Sequence, residues 1–396
     1  MYKAEFSLKF LTISGAYRPI IWSSFSTKIL YNIFTFFVII SLQSAFYSLF
    51  VFLTFSSLHG IDDFAESLCW TVAVFVDLAK IINFLLRRDD IIELINILNK
   101  DCLKTRDNKE EIMQDKCDFT ARRNTKYFFL IIAAPVSMMT LGGLVKRTAN
   151  INLPLKASYP YDYNRKLAFC LTYFCQSVSI YFGGIITIGH ETFLMTILIQ
   201  ICCQLDIIYH RLRNLPNLYR NNNIKSIMLN ETEEAKIIKN CILHHNDVYM
   251  LSSKLNDIFS IVIGIQFFGS ILNICTFVFS LSNKNEINDR VIAQCLSLIT
   301  FLFQIFLYCH FGNEVMIKSL KLVKVLSMMD WTVLTRNTKH ELLLICVRAS
   351  DPIIITSGSV IPMTYDTFIK ILRTSYAAYN LLQNRNAYKM IYEKNG

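Results

Sequence analysis

Seven apolar segments, each of about 20 residues or more, constrain the fold of this chain more than any other feature. A helix of that length crosses the roughly 30 Å of hydrocarbon in a bilayer. Lipid admits only helices and closed barrels, and these segments lack the two-residue alternation of barrel strands. The sequence therefore predicts an all-α polytopic membrane protein whose seven spans are residues 29–55, 68–86, 127–145, 167–204, 258–281, 291–312 and 353–383.

The composition agrees with a membrane protein. Of the 396 residues, 53% are hydrophobic and 18% are charged, whereas soluble globular chains have about 25% charged residues. The formal net charge is +10, yet no run of basic residues lies beside an aromatic platform, so nucleic-acid binding is not indicated. The sequence contains no Walker, HExxH, GxSxG or GxGxxG signature, which argues against an enzyme.

The distribution of Lys and Arg predicts the orientation in the membrane. With the N-terminus in the cytoplasm, 27 of these residues flank the spans on the cytoplasmic side and 10 on the outer side. Cytoplasmic loops carry the excess of positive charge, so this orientation is favoured, with the C-terminus outside. It is opposite to that of a G-protein-coupled receptor. The sequon Asn230-Glu231-Thr232 would then face the cytoplasm and carry no glycan.

Ionisable residues inside the spans are candidate sites, because charge at membrane depth is costly. Asp77 and Lys80 are three residues apart and are predicted to form a structural ion pair. Glu191 is assigned a hydrogen-bonded packing role, with a ligand or proton role as the alternative. The adjacent His244 and His245 point to different helix faces, so no metal or other cofactor is expected.

The last span carries a polar stripe, which a helical wheel places on one face. Its charges either border a water-filled path or pack against polar groups of neighbouring helices. Two of its members, Asp366 and Lys370, are spaced to pair along the helix. The stripe comprises Asp366, Lys370, Arg373 and Asn380.

The outer halves of the middle spans predict a pocket for a small, largely apolar ligand. They are rich in aromatic and aliphatic side chains, contain adaptable Met residues, and include a Tyr and a Gln to direct the ligand. Ordinary helix packing is the alternative for each residue. The candidates are Trp70, Val74, Phe75, Met138, Met139, Gly142, Tyr173, Gln176, Ile180, Phe267, Phe268 and Ile271.

Several short motifs follow one another along the chain. Tyr159-Pro160-Tyr161-Asp162 follows the third span, and CILHH, beginning at Cys241, precedes the fifth. YCHFGNE, beginning at Tyr308, ends the sixth span. Residues 342–382 read LLLICVRASDPIIITSGSVIPMTYDTFIKILRTSYAAYNLL. In this series the chain resembles the insect odorant receptors, most strongly from Cys241 onward, and it lacks the TY…QF ending typical of the related gustatory receptors.

The resemblance implies a channel subunit with the inverted topology that the charge count predicts independently. Members of the family look like ligand-gated, non-selective cation channels that assemble as tetramers with a shared odorant receptor co-receptor. Their seventh helix lines a central pore. The corresponding gate would lie here in the last turns of the final span, largely opposite the polar stripe, at Tyr376, Tyr379, Leu382 and Gln383.

The implied function is binding of a small volatile ligand and opening of a cation channel in the plasma membrane of olfactory neuron dendrites. A gustatory-type channel acting without the co-receptor is the first alternative, and a seven-helix G-protein-coupled receptor is the second. The stripe is assigned to a vestibule or to helix packing. The chain then divides into a cytoplasmic N-terminal segment (1–28), six spans around an outer pocket (29–312), cytoplasmic anchor helices (313–352), a pore-lining helix (353–384) and an extracellular tail (385–396).

Overall fold

The computed structural model describes residues 4–56, 61–145, 153–163, 165–217, 227–282, 289–358 and 360–395. These residues are almost entirely α-helical, as the apolar segments predict. A 3-10 turn, Asp101–Leu103, and one small β-hairpin interrupt the helices. In chain order the main elements are α1 (Glu5–Ile13), α2 (Phe25–Ser56), α3 (Ile61–Leu86), α4 (Arg88–Leu98), α5 (Asn108–Val145), α6 (Lys166–Asn214), α7 (Ile227–Ser282), α8 (Asp289–Ser327), α9 (Arg336–Ala349), β1 (Thr356–Ser357), β2 (Ile361–Pro362) and α10 (Tyr365–Asn395).

Among the described residues, five helices are long and apolar enough to cross a membrane. The other two predicted spans lie in α5 and α10, which belong to the same bundle. Helix α5 begins with a charged segment before its apolar part, and α10 carries the polar stripe. The five apolar stretches are Phe25–Phe55, Phe64–Leu86, Lys166–Asn214, Glu231–Ser282 and Val291–Ser327.

Helix α6 lies at the centre of the bundle. In its most apolar stretch, 94% of the residues are buried inside the protein, and α1, α2, α3, α5, α7 and α8 all contact it. A glycine allows the close contact with α1, because a Cβ at Gly189 would lie 2.9 Å from Leu11 Cδ2. Most of α6 is therefore surrounded by protein instead of lipid.

The central helices continue past the predicted spans. Helix α6 ends at Asn214 instead of near residue 204, and α7 begins at Ile227 instead of 258. A buried network explains why the polar extensions remain helical. Arg211 Nε donates to Glu110 Oε1 at 2.7 Å and Arg211 Nη2 donates to Glu110 Oε2 at 2.8 Å, and a bidentate pair of this kind is strong and directional.

His244 belongs to the same network. Its Nδ1 lies 3.2 Å from Arg211 Nη1, and its Nε2 lies 2.8 Å from Gln204 Oε1. The neighbouring His245 instead packs its ring against Tyr249, with centroids 4.8 Å apart. Both histidines are buried, and across the described ranges no group of three metal-ligating side chains comes together.

Residues 353–358 and 360–364 are not helical, although the apolar pattern predicts that the last span begins at residue 353. They form the β1–β2 hairpin, in which Gly358 has a φ of 57° and Met363 N donates to Ile355 O at 2.9 Å. The positive φ favours glycine and Pro362 cannot donate a helical hydrogen bond, so the helix begins at Tyr365. Gly312 of α8 has no room for a side chain, because a Cβ there would lie 2.5 Å from Met363 O.

Candidate ligand cavity

A cavity of about 120 Å³ lies between α2, α3, α5, α6, α7 and α8. This volume gives room for on the order of ten water-sized groups. Most of the wall is apolar, since each of the surrounding helices turns an apolar face inward. Its apolar lining includes Trp70, Val74, Ile132, Val136, Met139, Leu155, Ile180 and Phe301.

The floor of the cavity is charged. Asp77, Lys80, Thr187 and Gln304 line it, and Glu191 lies directly behind them. Lys80 Nζ is 2.9 Å from Glu191 Oε1 and 3.9 Å from Asp77 Oδ1. The predicted pairing of Asp77 with Lys80 is therefore present, but Glu191 is the nearer partner.

Hydrogen bonds complete this charged floor. Thr187 Oγ1 donates to Asp77 Oδ1 at 2.5 Å, and Gln304 Nε2 donates to Glu191 Oε1 at 2.5 Å. Lys80 is 1% exposed and Glu191 is 5% exposed. Buried charges are tolerated when they are paired and hydrogen-bonded, and these contacts meet that condition. The floor thus joins α3, α6 and α8.

The roof is an ordered loop, residues 153–163, of which Leu155 reaches into the cavity wall. Gln176 of α6 fixes this loop. Its Oε1 accepts from Leu155 N at 3.0 Å, and its Nε2 donates to Leu155 O at 3.2 Å and to Tyr159 Oη at 2.8 Å. The backbone N–H and C=O of Leu155 are thereby satisfied without water, and the loop lies over the cavity on this side.

The predicted pocket residues separate into three groups. Trp70, Val74, Met139 and Ile180 line the cavity. Tyr173 and Gln176 make structural hydrogen bonds, since Tyr173 Oη donates to Thr140 O at 2.5 Å and Gln176 holds the roof. The cavity lining does not include Phe75, Met138, Phe267, Phe268 or Ile271, and Gly142 lies where only the backbone of α5 is described.

Ligand contact at each of these positions stays a prediction. Phe75 and Phe268 are 50% and 66% exposed on the surface of the bundle. Phe267 packs its ring against Tyr308, with centroids 6.0 Å apart. Successive residues of a helix point in different directions, so only some of them face the cavity. Because apolar residues occur on every side of these helices, the sequence does not show which side lines the cavity and which side packs against other helices.

The wall of the cavity also has polar members that are not among the residues predicted from the sequence. Gln266 and Asn273 of α7, and Ser297 and Thr300 of α8, all line the cavity. A signal for the first two is present in the sequence. They are amides seven residues apart on one face of the mostly apolar span 258–281, and this spacing returns to the same side after two turns.

Helix α10 packs against α7 and α8 through the face that carries Thr367, Ile371 and Ser375. Of the predicted gate residues, Tyr376 is 65% exposed and Gln383 is also exposed, while Tyr379 and Leu382 are half-buried. The rings of Tyr376 and Tyr379 lie 6.2 Å apart. In the polar stripe, Asp366, Lys370 and Arg373 are exposed and Asn380 is half-buried. Within the described chain, Asp366 and Lys370 form no ion pair with each other.

Comparison with known proteins identifies the family. The sequence model of the 7tm Odorant receptor family matches residues 60–376, which is most of the chain. The chain belongs to the insect odorant receptor family. This membership confirms the resemblance carried by the motifs, and the family is one of receptors and not of enzymes.

Individual relatives are distant. Odorant receptor 67c of Drosophila melanogaster is 24% identical over 66% of this chain and 62% of its own length. Odorant receptor 10 of Aedes albopictus is 29% identical over 39% of this chain and 40% of its own length. These two matches thus span less than two thirds of the relatives' own length. Odorant receptor 9a of Drosophila melanogaster is 23% identical over 82% of both chains.

A solved structure shares the fold. The olfactory receptor OR5 from Machilis hrabei, determined in complex with eugenol, superposes with a TM-score of 0.81 and 16% identity. The superposition covers 96% of this chain and 97% of that one. The all-α, seven-span architecture predicted from the apolar segments is confirmed by this likeness, and the chain is a multi-pass membrane protein.

Proposed function

We propose that this odorant receptor is the odorant-specific subunit of a ligand-gated, non-selective cation channel, assembled with the odorant receptor co-receptor as a tetramer. The observation that carries the proposal is the mostly apolar cavity between α2, α3, α5, α6, α7 and α8. Its volume of about 120 Å³ fits a volatile molecule of on the order of ten non-hydrogen atoms. Burial of apolar ligand surface supplies most of the affinity in such a site.

The relatives support an odorant as the ligand. The related proteins are odorant receptors, and the structurally similar OR5 binds eugenol, a small aromatic molecule. Of the twelve predicted contacts, Trp70, Val74, Met139 and Ile180 are the ones on the cavity wall and are the first candidates to touch the ligand. We assign Gln176 to the roof, where it would limit the exchange of ligand with the outside.

Helix α8 offers a direct path from the cavity to the pore helix. Gln304 of α8 lies on the cavity floor. Two residues later, the ring of Phe306 packs against Phe368 of α10, with centroids 5.8 Å apart. One turn further, His310 Nδ1 lies 2.6 Å from Tyr365 Oη. A ligand that binds more tightly to one position of α8 would therefore shift α10, and only such a difference in affinity can open a channel.

Assembly would bring the exposed face of α10 to the pore. We assign Tyr376, Tyr379, Leu382 and Gln383 to the gate and the polar stripe to a vestibule. Helix α9 leaves Leu343, Leu344 and Val347 exposed by 55%, 59% and 73%. Apolar side chains grouped in this way mark an interaction surface. They fit the proposed role of residues 313–352 as cytoplasmic anchors between subunits, in a plasma-membrane channel whose N-terminus is inside.

Coexpression tests the proposed function. Cells that express this chain with the co-receptor should give a cation current in response to members of a broad volatile panel. Cells with either subunit alone should not respond to the same compounds. An epitope tag at the N-terminus should be labelled only after permeabilisation. The proposal is wrong if surface-expressed complexes stay silent across the panel, or if the N-terminal tag is accessible on intact cells.

A further inference from the structure

Two buried oxygens of α7 at the wall of the cavity have no hydrogen-bond partner in the described structure. They are Gln266 Oε1 and Asn273 Oδ1. The side chain of Gln266 is 2% exposed and that of Asn273 is 1% exposed, and both line the cavity. An unsatisfied buried acceptor costs about 1–3 kcal/mol, so a donor from a bound molecule would be favoured at these two oxygens.

The remaining hydroxyls of the wall are already engaged. Ser179 Oγ donates to Ser41 O, Ser297 Oγ donates to Ala293 O, and Thr300 Oγ1 donates to Leu296 O, at distances of 2.9 Å each. Thr187 Oγ1 is held by Asp77 at 2.5 Å. The two amides differ from these hydroxyls in their oxygens, which have no partner, although Gln266 Nε2 donates to Ser270 Oγ at 2.9 Å. Their terminal torsions are broad and allow the oxygen to turn towards a bound molecule.

The charged groups of the cavity floor also favour a ligand that donates a hydrogen bond. Asp77 and Glu191 are two carboxyl groups that share one ammonium, that of Lys80, and Glu191 lies nearer to it by about 1 Å. Asp77 is the member that lines the cavity, and its side chain is 15% exposed. A ligand that donates a hydrogen bond would meet acceptors on α7 and on α3.

We propose that this cavity selects ligands that carry one hydrogen-bond donor, a hydroxyl or an amine, on an apolar body of on the order of ten non-hydrogen atoms, with Gln266 and Asn273 as the receiving groups. The inference rests on the proposed function, because it names the ligand class of the same cavity. A hydroxyl would bind the amide oxygens alone. An amine would in addition face the carboxylate of Asp77.

Matched ligand sets test the proposal in cells that express this chain with the co-receptor. Each set holds an alcohol, an amine and a hydrocarbon of equal heavy-atom count, such as 2-phenylethanol, 2-phenylethylamine and propylbenzene, or 1-octanol, octylamine and nonane. The sets extend over aromatic, linear, branched and cyclic skeletons. A donor-bearing member should act at a concentration about tenfold below that of its hydrocarbon, the effect of one net hydrogen bond. The order of alcohol and amine distinguishes the two donors.

Two variants test whether Gln266 and Asn273 cause the difference in potency between donor-bearing ligands and hydrocarbons. Gln266→Leu and Asn273→Leu should each reduce the potency gap between donor and hydrocarbon several-fold. Gln43→Leu, on the exposed side of α2, makes the same chemical change away from the cavity and should keep the full gap. If a variant fails to reach the cell surface, the donor requirement is tested by the unaltered chain alone, through the order of potencies of alcohol, amine and hydrocarbon.

The outcomes separate the two claims. Activation by hydrocarbons as readily as by alcohols and amines would overturn the donor requirement and leave the proposed function standing. A gap that persists in both leucine variants would overturn the assignment to Gln266 and Asn273. Silence of surface-expressed complexes towards every compound would contradict the proposed function itself, and this inference with it.

Discussion

Lys80 Nζ of α3 lies 2.9 Å from Glu191 Oε1 of α6, and both side chains are buried inside the bundle beneath the ligand cavity. The contact joins two helices that are more than one hundred residues apart in sequence. It also holds a positive charge under an apolar cavity, where water is scarce. Removing one partner of a buried pair leaves the other charge without compensation, which is a large cost.

Replacing Lys80 by Met should therefore destabilise the protein by about 3–5 kcal/mol. The triple variant Lys80→Met, Glu191→Met, Asp77→Asn should recover much of this loss, because neither carboxylate that shared the Lys80 ammonium then remains. Lys9→Met is the matched control, since Lys9 and Glu5 are also 2.9 Å apart but are 64% and 56% exposed, and exposed pairs contribute about 0–1 kcal/mol. Thermal unfolding of the purified variants measures these differences, and equal losses for Lys80→Met and Lys9→Met would contradict the account.

This pair shows which contacts can be predicted from the sequence and which cannot. The spacing of Asp77 and Lys80 predicts a local pair, and that pair exists at 3.9 Å. The closer partner, Glu191, could not be paired with Lys80 in advance, because helix packing and not sequence spacing brings them together. The apolar segments likewise predict the helices and their order. They do not predict which face of α5, α6 or α7 lines a cavity, which is why Phe75 and Phe268 were candidates and Gln266 and Asn273 were not.

Gln176 should control the roof of the cavity. Gln176→Leu removes the partners of Leu155 N and Leu155 O, and Leu155 is buried. We expect the free energy of opening for residues 153–163 to fall by about 1–3 kcal/mol, the cost of buried unsatisfied groups. Hydrogen exchange of the loop amides measures the opening and should accelerate.

The control for the roof is the adjacent residue. Ser177→Ala removes a hydroxyl that donates to Tyr173 O within α6, so the loop amides should keep their protection. Unchanged exchange in Gln176→Leu, or equal acceleration in both variants, would show that Gln176 does not fix the roof. Faster loss of the odorant response after washout should accompany the faster exchange.

Asp107 should make the stability of α5 depend on pH. It caps the helix, since Asp107 Oδ1 accepts from Glu110 N at 2.7 Å, and its other oxygen lies 3.0 Å from His210 Nε2. The backbone hydrogen bond from Glu110 lowers the pKa of Asp107 below its ordinary value of 3.8. A lowered pKa means that the carboxylate stabilises the folded state above about pH 4, and that this contribution is lost as the pH falls through the folded-state pKa.

Two substitutions distinguish the stabilisation by the N-cap hydrogen bond of Asp107 from the stabilisation by its negative charge. Asp107→Ala should cost about 1 kcal/mol at neutral pH, as is usual for loss of an N-cap. Asp107→Asn keeps a cap oxygen and should lose less stability than the unaltered chain when the pH is lowered below 4. Unfolding measured in detergent between neutral pH and pH 3 gives both quantities, and parallel pH profiles for the aspartate and asparagine forms would contradict the role of the charge.

Tyr376 should affect the closed pore. It is 65% exposed on the single chain, and it belongs to the face of α10 that we assign to the gate. Tyr376→Ala should raise the current in the absence of odorant, because a bulky ring leaves the narrow part of the pore. Leu381→Ala is the matched control, since Leu381 is 72% exposed on a different face of the same helix. Equal basal currents in the two variants would remove Tyr376 from the gate.

The central claim is that a volatile ligand acts from the cavity between the helices, and filling this cavity tests it most directly. Ala73 lines the cavity, whereas Ala134 is exposed on α5. Odorant-evoked current should therefore disappear in Ala73→Phe at normal surface expression and persist in Ala134→Phe, when each is coexpressed with the co-receptor. An unchanged concentration–response curve in Ala73→Phe would show that the ligand acts elsewhere.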